Sequence, residues 1–229
     1  CFPEMWTTGF NWEANQRLAA SSGAVLEEIA AMARRHRIWI TGSVLALNEQ
    51  GRAANTSILL DPEGRLAAIY RKIHLFGLIH EDQHLAPGDR LTVADTPWGP
   101  AGLAVCYDLR FPELFRSYAL KGARIVFLPA AFPQSRLEHW KALLRARAIE
   151  NQLFMAGANQ AGVEDLGADG SIVLAGHSAI IGPWGETVVQ AGETEEQLLT
   201  ASIDLDQADA IRRKMPVLSD RRPDLYELD

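Results

Sequence analysis

The chain has 229 residues, 48% of them hydrophobic and 22% charged, the ordinary range for a globular domain with a substantial core, so residues 1–229 are read as one domain. Its 22 basic and 29 acidic residues leave a net charge of −7, which disfavours nucleic acid and anionic membrane as partners. Two cysteines, Cys1 and Cys106, are too few for a secreted disulfide framework or a cysteine-rich zinc site, and no apolar run nears the roughly 20 residues of a bilayer span, so the expected setting is a reducing cytoplasm.

In chain order, residues 13–37 place Leu26, Ile29, Ala30 and Ala33 on one face at helical spacing, with Arg34, Arg35 and Arg37 near the end, which predicts one amphipathic helix. Apolar runs follow at "IWITGSVLA", "NTSILLD" and "LAAIYR"; Pro62-Glu63-Gly64 separates the last two, as in a strand meander. After a polar segment at 80–90 come "AGLAVCY", a helical 113–122, "RIVFLPA", a longer helical 136–152 and "LFMAGANQ", the strand–helix alternation of a layered α/β protein. "HSAIIGP", "ETVVQAG" and "LLTASIDL" then read as strands with Gly and Pro turns, Trp184 marking a tight hairpin. Trp140 reads as a core or pocket residue on its helix face.

Three stretches could carry chemistry. Cys106 sits where a predicted strand runs out into "YDLRFPE" and the next helix, a junction that exposes a side chain and aims backbone N–H groups at it; a lone cysteine is otherwise a small buried hydrophobe. Glu4, between Pro3 and a Trp/Gly-rich turn, is flanked by apolar residues that would raise its pKa and suit it as a general base, against the plainer reading of a surface acid. Lys72 follows Arg71 at a strand terminus beside Ile73, Leu75 and Phe76, where a solvated strand-end cation is the ordinary alternative.

In order and in local sequence, the Pro-Glu at Glu4, the Arg-Lys-x-His-Leu at Lys72 and the Cys-Tyr-Asp-x-Arg-Phe-Pro-Glu at Cys106 resemble the signatures of the nitrilase superfamily of carbon–nitrogen hydrolases. "LRARAIENQ" and "GHSAIIGPWGE" extend the likeness over essentially the whole chain. The resemblance implies an α/β fold of four αββα layers, with Cys106 as nucleophile, Glu4 as general base, Lys72 as electrostatic stabiliser and Glu81, ahead of Pro-Gly-Asp, as a fourth site residue. It implies no metal or other cofactor, and a homodimer or larger assembly toward which segment 215–229 reaches. Members of the superfamily begin with a strand and helix ahead of the Pro-Glu motif, so the chain reads as shortened at its start.

The implied chemistry is consistent with the residue types. A free thiol has a pKa near about 8.5, and Glu4 with Lys72 would raise its thiolate fraction. The Lys72 ammonium and the Tyr107 N–H would hold the oxyanion, each such donor being worth about 3 kcal/mol. Tyr-Asp after the nucleophile resembles the amidase-like branches, and "PEMWTTGF", "FPQSRLEHWKALLRARAIENQ" and "PVLSDRRPDLY" resemble the ω-amidase group that acts on 2-oxo acid amides. Such a substrate carries a carboxylate, for which Arg110 and Arg136 are candidate partners, each as readily engaged in a salt bridge; Phe132 is a further candidate substrate contact. Glu113 is read as structural, holding N–H groups at the following helix start.

His74, His139 and His177 lie beside motif residues but fit no zinc spacing, and are read as satisfied polar neighbours. Rival readings stay open: an N-carbamoyl, aliphatic amide or nitrile hydrolase of the same superfamily, a hydrolase using Cys1 and its α-amino group, and a non-catalytic binding module.

Overall fold

The computed structural model describes residues 1–226. Strand β1 (Ile40–Leu47) pairs antiparallel with β2 (Ala53–Leu60), Ile40 opposite Leu60 and Leu47 opposite Ala53, and β2 with β3 (Leu66–Arg71), the expected meander. The β2–β3 turn is closed by Asp61, whose Oδ1 accepts the N–H groups of Glu63 and Arg65.

Ahead of this sheet, the helical stretch is two helices, α1 (Trp12–Leu18) and α2 (Ser22–His36), which corrects the reading of one continuous helix. Ala19–Ser21 tightens into a 3-10 turn, and the Ser21 hydroxyl donates back to the Leu18 carbonyl at 2.8 Å, in an Ala-Ala-Ser-Ser-Gly run where serine and glycine compete with the α conformation. Helix α2 lays Ile29, Ala30 and Ala33 on Ile40, Val44, Ile58 and Leu60, and ends at Arg37 in the left-handed region with Arg34, Arg35 and His36 in the last turn.

Beyond β3 the polar segment holds a short helix, α3 (Glu81–His84), then β4 (Val93–Ala94) and β5 (Ala101–Leu103). Helix α4 (Pro112–Leu120) leads to β6 (Ile125–Ala130), and α5 (Leu137–Asn151) to β7 (Phe154–Asn159). Strands β5, β6 and β7 are parallel, so each connection needs a crossover helix. A hairpin of β8 (Ala161–Asp165) and β9 (Ser171–Ala175) stands apart, and β10 (Ala179–Ile181) with β11 (Thr187–Gln190) completes a sheet of order β11-β10-β7-β6-β5-β4. Trp184 lies half exposed in the β10–β11 turn. The last described helix is α6 (Asp206–Lys214).

Period-two alternation assembles the layers. Val126, Leu128 and Ala130 point toward Leu114, Tyr118, Trp140 and Leu144 of α4 and α5, while Ile125 faces the other way with Ala101 and Phe154. Leu103 and Val105 meet Leu59 and Tyr70 of the first sheet, so the two sheets pack face to face with helices outside both, the αββα sandwich. Trp140 is buried in this outer core, its indole N–H donating to the His177 carbonyl at 2.9 Å.

Two readings need correction. Residues 198–205 make no ladder among the described residues; Ile203 and Leu205 do alternate inward against Ala101, Ile125, Phe154 and Ala156, but a strand requires a paired neighbour as well as a pattern. Glu113 is exposed and makes no capping hydrogen bond, Pro112 opening α4 without a donor to satisfy. Of the 215–229 segment, 227–229 lie outside the described residues. No described helix is long and apolar enough to cross a membrane.

Candidate active site

Glu4 is suspended between the two sheets. Phe2 donates to the Thr41 carbonyl and Ser43 to that of Pro3, tying the segment to β1, while Glu4 N–H reaches the Ala130 carbonyl at the end of β6 at 3.4 Å. Gln160 Nε2 donates to the Glu4 carbonyl at 2.8 Å, and Met5, in the left-handed region at φ 46°, turns the chain away. The carboxylate is thereby held in the interior at 1% exposure.

Lys72 leaves the end of β3 with its N–H on the Asn55 carbonyl at 2.9 Å and its ammonium wholly buried. Nζ donates to Glu4 Oε1 at 2.8 Å and to Glu81 Oε2 at 2.6 Å. Glu81, the first residue of α3, also accepts the Phe76 N–H on Oε2 at 2.7 Å. Asn55 Nδ2 donates to Glu4 Oε1 at 2.8 Å and to Glu81 Oε1 at 3.0 Å. Two carboxylates thus share one ammonium and one carboxamide.

Cys106 opens a 3-10 turn over Cys106–Arg110 and sits at φ 44°, a left-handed conformation that costs a residue with a Cβ about 1–3 kcal/mol and persists only where the surroundings enforce it. Asp108 supplies that enforcement. Fully buried, it accepts Val105 N–H at 2.9 Å and the Tyr70 hydroxyl at 2.7 Å on Oδ2, and His74 N–H at 3.2 Å on Oδ1, with His74 Nδ1 at 2.8 Å from the same oxygen. The His74 ring stacks on Phe111, centroids 3.6 Å apart.

Electrostatics follow from burial. Desolvation pushes the Glu4 carboxyl above the ordinary carboxylate range against the pull of Lys72. Burial alone would lower the Lys72 ammonium, but the charges of Glu4 and Glu81 reverse this and hold it raised. Although Cys106 as a residue keeps partial exposure, its thiol is desolvated, and burial followed by the Glu4 charge pushes it well above its ordinary value despite Lys72. This direction runs against the sequence expectation of an enriched thiolate and leaves the Glu4 carboxyl as the group beside the thiol able to take its proton.

Glu4, Lys72, Cys106 and Tyr107 line one cleft of about 520 Å³, its open mouth included. Its walls are apolar and include Phe76, Phe132 and, from the β8–β9 hairpin, Leu166, Ile172 and Leu174. Arg110 and Arg136 also line it; their guanidinium carbons lie 5.4 Å from the ring centroids of Phe132 and Phe76, respectively. Among the described residues neither pairs with a carboxylate, so the salt-bridge alternative is not realised there. Glu81 stands behind Lys72 and does not line the cleft.

Of the histidines, His74 is bound to Asp108, His139 lies 3.4 Å from the Arg110 guanidinium, and His177, outside the cleft, has Nδ1 2.8 Å from Gln190 Nε2 while its buried Nε2 makes no hydrogen bond among the described residues, Glu193 lying 3.4 Å away. Cys1 is exposed and likewise outside it. Sequence reasoning passed over Asn55, Asp108 and the β8–β9 hairpin. A buried strand interrupted by Asn-Thr, the Asp of the nucleophile motif and the Gly-Ala-Asp-Gly turn at 167–170 were the available signals.

Residues 1–213 match the carbon-nitrogen hydrolase family. The chain is 37% identical over 225 residues to the 2-oxoglutaramate amidase of Bacillus subtilis, covering 98% of this chain and 85% of that protein. It is 36% identical to an omega-amidase of Xenopus laevis, covering 100% of this chain and 83% of that one. Among solved structures, a carbon-nitrogen hydrolase from Helicobacter pylori superposes with a TM-score of 0.86 at 30% identity, covering 92% of this chain and 77% of the other. A double mutant of the amidase from Nesterenkonia sp., solved in complex with acrylamide, gives 0.84 at 27% identity, with 98% and 80% covered.

Proposed function

The chain belongs to the carbon-nitrogen hydrolase family and is an amidase, and on that premise we propose that it removes the terminal amide of a small carboxylate-bearing substrate, of the 2-oxo acid ω-amide type, through a thioester on Cys106. The observation that carries this reading is that Glu4, Lys72 and Cys106 line one cleft together with two arginines that have no carboxylate partner among the described residues. The identity to a 2-oxoglutaramate amidase and to an omega-amidase supports the same substrate class.

In this mechanism the amide carbonyl enters beside the Cys106 sulfur. Both donors to Glu4 occupy Oε1, so Oε2 remains to take the thiol proton as sulfur attacks, a transfer favoured by the raised carboxyl pKa. The oxyanion is held by the Lys72 ammonium and the Tyr107 N–H. Collapse expels the amine with the proton from Glu4, releasing ammonia and leaving the acyl thioester. Glu4 then accepts a proton from water as its oxygen attacks the thioester, and returns that proton to sulfur as the acid departs. Glu81 keeps Lys72 charged and aimed, and Arg110 and Arg136 receive the far carboxylate. Residues 1–229 act as one catalytic domain in a homodimer or larger assembly, in a reducing compartment.

The test is ammonia release from 2-oxoglutaramate, 2-oxosuccinamate, glutamine, asparagine, an N-carbamoyl amino acid and a simple nitrile, with Cys106→Ala as control. Turnover confined to the oxo acid amides and abolished by the substitution is expected; preference for the carbamoyl compound or the nitrile overturns the substrate class.

A further inference from the structure

Asn55 is wholly buried in the middle of the charged cluster, yet no step above uses it. Its position in β2 gives it three attachments at once. The backbone carbonyl holds the Lys72 N–H, and the side-chain NH2 lies 2.8 Å from Glu4 Oε1 and 3.0 Å from Glu81 Oε1. A carboxamide has two N–H bonds on its nitrogen, so one goes to each carboxylate. The flipped amide would set Oδ1 against two anionic oxygens, which fixes the orientation. In that orientation Oδ1 is buried with no hydrogen-bond partner among the described residues. A buried acceptor left unpaired is unfavourable, and here the charge-assisted bonds of the nitrogen offset it.

The cluster needs such a divider. The titratable groups facing Glu4 are Lys72 at the end of β3, Glu81 from α3 and the Cys106 thiol, so two carboxyl groups share one ammonium in a desolvated site. Two carboxylates so placed tend to share a proton, one of them becoming neutral. A proton on Glu4 would disable it as a base. Glu81 has Lys72 and the Phe76 N–H besides Asn55, whereas among the described residues Glu4 has only Lys72 and Asn55 on its side chain before the thiol, so Glu4 depends more on the carboxamide.

We propose that Asn55 is a positioning residue for the reaction: by donating one N–H to each of Glu4 and Glu81 it holds the two carboxyl groups in place, keeps Glu4 available as a base and leaves its second oxygen for the Cys106 proton. It touches neither sulfur nor substrate and acts through Glu4. The inference rests on the reading of Glu4 as general base, and the experiment separates the two.

The rate of Cys106 alkylation by iodoacetamide, followed by mass spectrometry against pH, reports the base without needing the natural substrate. The wild type should lose reactivity on the acid side as Glu4 protonates, and Glu4→Gln should abolish that limb. Asn55→Ala should move the limb upward by about one pH unit, and Asn55→Ser, which retains one donor, by less. In amide hydrolysis both should lower kcat about 10- to 100-fold while KM changes less than about threefold. If Glu4→Gln keeps the wild-type limb, the base reading falls and this inference with it. If Glu4→Gln abolishes the limb but neither Asn55 variant shifts it, the inference alone is overturned. Asn55→Leu, close in shape and without donors, replaces Asn55→Ala should the cavity of the latter prevent folding, and carries the same expectation.

Discussion

The Tyr70 hydroxyl donates to Asp108 Oδ2 at 2.7 Å, fastening the strand that delivers Lys72 to the turn that presents Cys106. Because Asp108 also accepts from Val105 and His74, its removal strands several buried donors at once. Asp108→Ala should lower unfolding stability by roughly 3 kcal/mol or more, and Tyr70→Phe, which keeps Val105 and His74 on Asp108 but deprives the Ile73 N–H of the hydroxyl it reaches at 3.3 Å, by about 1–2 kcal/mol. Urea denaturation with an unchanged m-value measures both. An Asp108→Ala protein within about 0.5 kcal/mol of wild type would show that the elbow is held by something else.

Glu4 carries a stability signature of its own. Its folded carboxyl is raised by burial, so between the ordinary carboxylate pKa and the raised one the folded chain binds more protons than the unfolded chain. In that window stability falls as pH rises. Glu4→Gln removes the titrating group, so the stability of wild type relative to Glu4→Gln should be greatest below the ordinary carboxylate pKa and decline with increasing pH until the folded carboxyl is ionised. Parallel melts from pH 4 upward test the sign; a difference that grows with pH would contradict it.

Arg110 and Arg136 serve the proposed substrate class by charge, and charge can be removed while most of the side-chain volume stays. Arg110→Met and Arg136→Met should each raise KM for a carboxylate-bearing amide by roughly 10- to 100-fold, the scale of one lost charged hydrogen bond. A short neutral amide should change less than about threefold. Equal losses on both substrates would mean that the arginines hold the cleft walls through Phe132 and Phe76 rather than the substrate.

How far the fold and site were legible depended on whether the signal was local. Strands β1 to β3 and helices α4 and α5 were readable because their periodicity and turn residues lie within each segment. Residues 198–205 carry the same strand-like alternation without pairing, since a ladder partner is a property of the whole fold. The motif residues Glu4, Lys72, Glu81 and Cys106 stood out, but Asn55 did not: an asparagine inside a buried strand is unremarkable until two carboxylates from other segments are seen to meet its NH2. Asp108 lies within the nucleophile motif, but its role is not legible there because its donors come from residues 70, 74 and 105.

The cleft wall is supported from behind. Trp140 packs on Phe132 with centroids 5.3 Å apart, and a Cβ placed on Gly157 in β7 would fall 2.7 Å from Trp140 Cη2 and 3.1 Å from Leu144 Cδ1. A rigid, buried indole has little room to retreat, so Gly157→Ala should cost about 1–3 kcal/mol of stability and press Trp140 toward Phe132. Chemical denaturation measures the first effect and a raised KM the second. A stability unchanged within about 0.5 kcal/mol would mean that α5 yields easily.

The outer wall is tied near its tip by a carboxylate as well as by the apolar packing of Leu166. Glu164 of β8 accepts the Phe10 N–H on Oε1 at 2.8 Å, and it can approach so closely because residue 9 is glycine, at φ 62°, where a Cβ would collide with that same oxygen. The other end of the hairpin is held by the backbone, Ala175 N–H on the Phe132 carbonyl, so Glu164 anchors the free end. Glu164→Ala should cost about 1 kcal/mol locally and speed amide exchange across 161–175 roughly fivefold, while the core strands β6 and β7 keep their protection. Since Leu166, Ile172 and Leu174 line the cleft, KM should rise and kcat change little. Hydrogen exchange and steady-state kinetics on the same preparation check both; unchanged exchange in 161–175 would show that apolar contacts alone keep the hairpin closed.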